Sequence, residues 1–142
     1  MVWILTYILL ALPAAASAAQ IPATSYEVQV VEQPSPFEIG TVKDVTTHQW
    51  FVGTLDDFPH TIEFLLTEPT VLEIGVLAPA DADPAHYPSL IAIREVERGV
   101  VEVMRRPARN ETWTHYQDPI SKLSFVTSSS FREEVEPGVY RV

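Results

Sequence analysis

The sequence contains no cysteine. Disulfide bonds, thiol catalysis and thiolate metal sites are therefore excluded, and so is a lipid-modified N-terminal cysteine. Without covalent cross-links, the fold must be stabilised by its apolar core. A chain of 142 residues is long enough to form such a core and corresponds to one domain.

Positive charge is also scarce. Nine basic residues stand against nineteen acidic ones, which gives a net charge of −10 and a pI of about 4.7. Binding to nucleic acid is disfavoured because it requires a basic surface, and an anionic membrane would repel the protein. The charge is uneven, since Lys43 is the only basic residue before Arg94, against eleven acidic residues. This acidic half is typical of a solvated surface on a secreted protein, and cation binding is the alternative.

Residues 1–19 contain no charged side chain. An apolar run at residues 3–12 is followed by Pro13 and by AAASAA, in which Ala16-Ser17-Ala18 fits the small-x-small rule for signal-peptide cleavage. We therefore predict a signal peptide over residues 1–19, a linker over 20–25, and an extracytoplasmic protein that is secreted or periplasmic. No Lys or Arg precedes Lys43 to supply the usual positive segment, so an uncleaved membrane anchor is the alternative.

The stretch TIEFLLTEPTVLEIGVL, residues 61–77, contains two apolar runs of period two. Ile62, Phe64 and Leu66 fall on one side of the first run, and Leu72 begins the matching series in the second. This alternation is typical of strands that pack on a core, and Pro69 is suited to the turn between them. We expect Phe64 to lie in the core.

Similar short segments recur along the chain, separated by loops rich in proline, glycine and aspartate. They predict a single all-β domain over residues 26–142, an antiparallel β-sandwich or jelly-roll-like fold of about 7–9 strands. The last predicted strand is still running at Val142, so we expect more sheet or an anchor beyond it. An α/β fold is disfavoured because no long segment has helical periodicity.

Two strands flanking Glu97-Arg98-Gly99 predict a hairpin with a three-residue loop and Gly99 in a left-handed conformation. This loop would place Val96 opposite Val100 and Ile93 opposite Val103.

The final VEPGVYRV, residues 135–142, resembles the last strand of secreted bacterial β-sandwiches of the pre-peptidase C-terminal type. The segment HTIEFLLTEPTVLEIGVLAP from His60 is similar to those domains as well. The resemblance covers about residues 48–142 and implies an extracytoplasmic accessory domain that is usually non-catalytic. It assigns no functional residue, and the Asp-x-Asp entry common in that type is matched loosely by Asp81-Ala82-Asp83.

Catalytic and metal-binding signatures are absent from the sequence. No two histidines have the spacing of metal ligands, no G-x-S-x-G motif is present, and Asp81-x-Asp83 lacks the glycine and distal glutamate of a calcium loop. We therefore expect a non-catalytic protein that requires no cofactor, with Ca²⁺ as the only ion to consider.

The order of the strands predicts where a binding surface would lie. If each strand crosses the sandwich once, the connections at 56–60, 78–88 and 106–128 share one end, and the short turns share the other. An extra strand inside 106–128 would leave only the first part of that connection at this end. Long loops on a rigid scaffold are where binding usually resides. The candidate ligand-binding residues at this end are Tyr87, Trp113, Tyr116, His86 and His115, and the candidate metal ligands are Asp56, Asp57, Asp81 and Asp83.

We expect binding or structural display at the cell surface with a protein or glycan partner. The alternative is a carbohydrate-binding module that stacks sugars on Tyr87, Trp113 and Tyr116. A hydrolase is the third and least favoured function.

Overall fold

The computed structural model describes residues 3–11, 27–30, 32–33, 35–42, 45, 48–55 and 58–142. These residues form two β-sheets and two short 3-10 helices, Pro84–His86 and Ala108–Asn110. The strands are β1 Trp3–Ala11, β2 Glu27–Val30, β3 Gly40–Thr41, β4 Gln49–Thr54, β5 Ile62–Leu66, β6 Thr70–Pro79, β7 Leu90–Val96, β8 Gly99–Arg106, β9 Thr114–Gln117, β10 Ser124–Thr127, β11 Phe131–Val135 and β12 Gly138–Arg141.

The larger sheet is organised around β6. Its order is β2-β4-β1-β6-β10-β9, and β11 also pairs with β6. One edge of β6 pairs with β1. The other edge has two partners, since residues 70–74 of β6 pair with β11 and residues 77–79 pair with β10. A strand of ten residues is long enough for both partners, and this division lets the sheet bend between them.

The smaller sheet has the order β3-β5-β12-β7-β8. The predicted all-β sandwich is confirmed, although the described residues contain more strands than the 7–9 expected. The sheets are also not purely antiparallel, because β2 runs parallel to β4 and β3 runs parallel to β5. Both parallel partners are short outer strands that come early in the chain.

The main core lies between the two sheets. Alternate residues of β5 and β6 face it, as the period-two pattern predicts, and Phe64 and Ile74 are almost completely buried. The ring of Phe64 stacks on Tyr140 of β12 with a centroid separation of 5.5 Å and an interplanar angle of 8°. The Tyr140 hydroxyl donates to the carbonyl of Glu136 at 2.5 Å, which satisfies its only polar atom.

The register predicted for the β7–β8 hairpin is wrong next to the turn. Val96 lies opposite Gly99, not Val100, because the turn contains two residues instead of three. For the same reason Ile93 faces Glu102 rather than Val103. A register shift between Ala92 and Ile93 then changes the pairing by one residue, so that Ala92 faces Met104. The shift keeps Ala92 and Met104 on the core side together. Gly99 has φ of +126°, so the expectation that glycine is required there is confirmed.

The segment 106–128 is more regular than its composition suggests, since it contains β9 and β10. The N-terminal apolar run forms β1, which pairs with β4 and β6. The proposed cleavage site at residues 16–18, the linker 20–25, Asp56 and Asp57 lie outside the described residues, so the signal peptide stays a prediction. Among the described residues, no helix combines the length and apolar character needed to cross a bilayer.

Phe64→Ala should lower the free energy of unfolding by about 3–5 kcal/mol, because it opens a cavity in the main core and removes the Tyr140 stacking partner. Leu65→Ala is the matched control, since Leu65 lies next in the strand on the opposite face and is 56% exposed. Chemical denaturation of the two variants measures the difference. Equal losses of stability would show that the assigned inner face of β5 is wrong.

Candidate functional site

Three connections meet at one end of the sandwich. The strands β4, β6 and β8 all end there, and they lead into residues 55–61, 80–89 and 107–113. The short turns after β5, β7 and β11 lie at the opposite end, where Leu66 faces Gly138 and Val135 faces Thr70. The separation of long loops from short turns thus follows the alternation expected from the strand order.

Tyr87 and Trp113 join the second and third of these loops. Their ring centroids are 4.5 Å apart and their planes are tilted by 45°. Trp113 Nε1 donates to the carbonyl of Ala108 at 3.1 Å, and the N–H of Ala108 donates to Ser89 Oγ at 3.0 Å. Both rings are half-buried, so each covers part of the face that a sugar would need.

The structure describes two of the candidate metal ligands, Asp81 and Asp83, and both lie in the second loop. Asp83 accepts a hydrogen bond from the N–H of Ala85 at 2.9 Å and so begins the first 3-10 helix. Asp81 and His86 are exposed. In the part of the chain that the structure describes, no group of three or more His, Asp or Glu side chains is arranged to hold a metal ion.

Tyr116 and His115 were predicted as loop residues, and that assignment is wrong because both lie in β9. His115 is exposed. Tyr116 packs on a second apolar cluster on the outer face of the larger sheet, formed by Trp50, Leu77 and Phe125. Trp50 and Phe125 meet edge to face with centroids 6.0 Å apart, which shows that the bent sheet encloses a small core of its own.

Asp118 and His48 border this second cluster and were not singled out from the sequence. Asp118 is 1% exposed and accepts a hydrogen bond from the N–H of Ser121 at 2.5 Å, in the turn where Lys122 has φ of +64°. Burial raises the pKa of Tyr116, and the negative charge of Asp118 raises it further.

His48 accepts a hydrogen bond at Nε2 from Trp50 Nε1, at 3.2 Å. Burial lowers the pKa of His48, and Asp118 opposes this effect.

An apolar cleft of about 300 Å³ opens beside the first two loops. Its walls come from both sheets: Phe51, Gly53, Leu55, Pro59, His60, Thr61, Ile62, Val76, Pro88, Ser89, Leu90, Ile91, Ile93, Arg141 and Val142. His60 Nε2 is buried, and within the described part of the chain it has no hydrogen-bond partner. The sequence pattern could not reveal this cleft, because its lining residues are distant in the chain and most look like ordinary core residues.

Arg141 lies at the edge of the cleft and connects three strands. Its Nε is 2.8 Å from Glu63 Oε2 in β5, and its Nη2 is 2.6 Å from Glu95 Oε1 in β7. The hydrogen bond to Glu63 raises the pKa of Arg141, and the charge of Glu95 acts in the same direction. The carboxylates of Glu63 and Glu95 therefore balance the guanidinium charge, and Arg141 adds no net positive charge to the cleft.

Comparisons with known proteins give no relative. No protein-family model matches the chain, and neither the curated proteins nor the solved structures contain a match. The resemblance to pre-peptidase C-terminal domains therefore stays a prediction, and any function has to be argued from the geometry.

The stability of the fold should fall as the pH drops from 7.5 to 5.5, in part because of His48. Its pKa is lowered in the folded state, so the unfolded chain binds a proton first, near the ordinary value of 6.5. The contribution of neutral His48 is present above that pH and is lost below it. Protonation would also destroy the acceptor used by Trp50.

Thermal melting at several pH values checks this expectation. His48→Gln should show a shallower decrease of Tm with acid than the parent, whereas His115→Gln, at an exposed position, should follow the parent. Identical slopes for the parent and His48→Gln would contradict the assignment.

Proposed function

We propose that this protein is a non-catalytic, extracytoplasmic binding module whose ligand site is the apolar cleft at the loop end. The observation that carries the proposal is the cleft itself. It combines apolar walls with the buried Nε2 of His60, which has no hydrogen-bond partner among the residues that the structure describes. Apolar clefts that contain a few polar groups are the usual form of a binding site. Its volume of about 300 Å³ is at the lower end for such sites and suits a small group or a short segment of a larger ligand.

The proposed lack of catalysis is supported by the chemistry of the cleft. Catalytic sites usually bring a nucleophile, a base and an orienting group within hydrogen-bond distance of one another. His60 contacts the Phe58 ring, with centroids 5.5 Å apart, and its buried Nε2 has no acid or hydroxyl bonded to it among the described residues. The cleft is therefore better suited to hold a ligand than to transform it.

Carbohydrate binding is the second candidate, supported by the Tyr87–Trp113 pair. The two rings are partly exposed and lie beside the histidine and aspartate residues of the second loop. A tilt of 45° leaves no common plane for a sugar ring, which makes this candidate weaker than the cleft. A glycan array probed with the parent and Trp113→Ala distinguishes the candidates, since sugar binding would be lost in the variant.

Accessibility of the cleft can be tested with the fluorescent probe 8-anilinonaphthalene-1-sulfonate. The parent should enhance its fluorescence saturably, because the probe binds apolar surfaces that are accessible in the folded state. Ile91→Trp, at the wall of the cleft, should abolish the enhancement. Val101→Trp should not, since Val101 is exposed in the neighbouring strand and does not line the cleft. No enhancement by the parent, or equal enhancement by both variants, would refute the proposed site.

The extracytoplasmic location rests on the uncharged apolar run at residues 3–12 and the AAASAA that follows Pro13. Expression in a secreting host should give a mature N-terminus near Ala19 or Gln20, and the mature protein would then lack β1, which pairs with β4 and β6. Intact-mass spectrometry measures this directly. A membrane-bound product that retains Met1 would contradict cleavage and favour the anchor.

A further inference from the structure

Asn110 is the only asparagine in the chain, and it begins the triplet Asn110-Glu111-Thr112. An N-linked oligosaccharide is attached to asparagine that is followed by any residue except proline and then by serine or threonine. The triplet lies in the third loop, between the 3-10 helix Ala108–Asn110 and β9. Because so short a pattern also occurs by chance, its presentation on the folded chain decides whether it is a usable site.

The backbone directs Asn110 and Thr112 to the same side of the loop. Glu111 between them is extended, with φ of −91° and ψ of 149°. Successive side chains of an extended chain point in opposite directions, so the two that flank Glu111 project together. Both Asn110 and Thr112 are exposed. The amide that accepts the sugar and the hydroxyl that a transferase requires are therefore accessible from one direction.

The residues that alternate with this pair are held against the body of the protein. The side chain of Glu111 is 14% exposed, and its Oε2 accepts a hydrogen bond from Ser129 Oγ at 3.2 Å. The ring of Trp113 packs on Tyr87, with centroids 4.5 Å apart. Within the described residues, no hydrogen bond engages the carboxamide of Asn110. The loop thus fixes the neighbours of Asn110 and leaves its amide nitrogen available for a covalent bond.

This site does not depend on β1, which the proposed cleavage would remove. β8 leads into the third loop and β9 follows it, and these two strands pair with β7 and β10. Asn110 is also not among the described residues that line the cleft. A glycan on this loop is therefore compatible with the mature chain and with an accessible cleft.

We propose that Asn110 is an acceptor for an N-linked oligosaccharide. This inference rests on the extracytoplasmic location in the proposed function, because such glycans belong to secreted proteins. The co-substrate is an oligosaccharide carried on a polyprenyl diphosphate. The Asn110 amide nitrogen bonds to the anomeric carbon of the first sugar, the bond from that carbon to the diphosphate oxygen breaks, and the amide loses one proton. A bulky polar glycan would then cover the third loop beside the Tyr87–Trp113 pair.

Expression of the full chain in a eukaryotic secreting host tests the site. Intact-mass spectrometry of the secreted parent should show the polypeptide plus one N-linked glycan. Peptide N-glycosidase should release this glycan from the folded protein without denaturant, because Asn110 is exposed. Asn110→Gln should lose the glycan completely, since the chain contains no other asparagine.

Two variants at position 112 test whether the motif is recognised. Thr112→Val removes the hydroxyl but keeps the β-branched shape, so it should abolish glycosylation. Thr112→Ser keeps the hydroxyl and should still carry the glycan. Because Thr112 is exposed, both variants should fold like the parent, which circular dichroism checks.

Secretion of the parent without a glycan would overturn the inference, and so would a glycan that persists in Thr112→Val. A glycan released only after unfolding would contradict the exposed position of Asn110. Failure of the parent to be translocated would instead refute the extracytoplasmic location. The same chain placed behind a leader of the host would then decide separately whether Asn110 is glycosylated.

Discussion

Both hydrophobic cores of the molecule depend on β6. Its Leu72 and Ile74 are completely buried in the main core between the sheets, and Leu77 on the opposite face belongs to the second cluster with Trp50 and Phe125. A strand that is apolar on both faces has to be covered on both. The smaller sheet covers one face, and the bent larger sheet covers the other. The division of one edge of β6 between β11 and β10 allows this bend, so the shape of the larger sheet follows from the composition of one strand.

The sequence predicts local features of the fold better than distant ones. The alternation in residues 61–77 correctly indicates the inner faces of β5 and β6, because period two is a property of a single strand. The need for glycine at position 99 is also local, since it follows from the backbone angle of one residue. The hairpin register was wrong by one residue next to the turn because the turn contains two residues instead of three, and the period-two pattern does not indicate the register shift between Ala92 and Ile93.

The candidate site shows the same limit more strongly. Strand order placed Tyr87 and Trp113 at one end, where their rings are in contact. Tyr116 was assigned to a loop in error, because it lies in β9 and packs on the second cluster. The importance of Asp118 and His48 depends on burial by residues far away in the chain. Residues 3–11 illustrate a different ambiguity, since one apolar run fits both a leader and the strand that joins β4 to β6.

The walls of the cleft are held in place by contacts within the protein itself. A gap between strands binds well only if its width is fixed before the ligand arrives, because otherwise binding must also order the walls. Contacts of Gln33 and Arg141 fix this width here. Gln33, which is buried, forms two side-chain hydrogen bonds to the backbone of Thr61, at 2.7 and 2.9 Å. Arg141 connects Glu63 to Glu95 across β12.

The wall of the cleft that β7 forms is supported by β8, because the two strands stay paired as far as Leu90, which lies opposite Arg106. A single exposed ion pair contributes little to stability. An arginine that bridges two strands across a third has a different effect, since it restrains the spacing of β5 and β7 where β12 ends. These contacts therefore fix the distance between the walls of the cleft that β5 and β7 form.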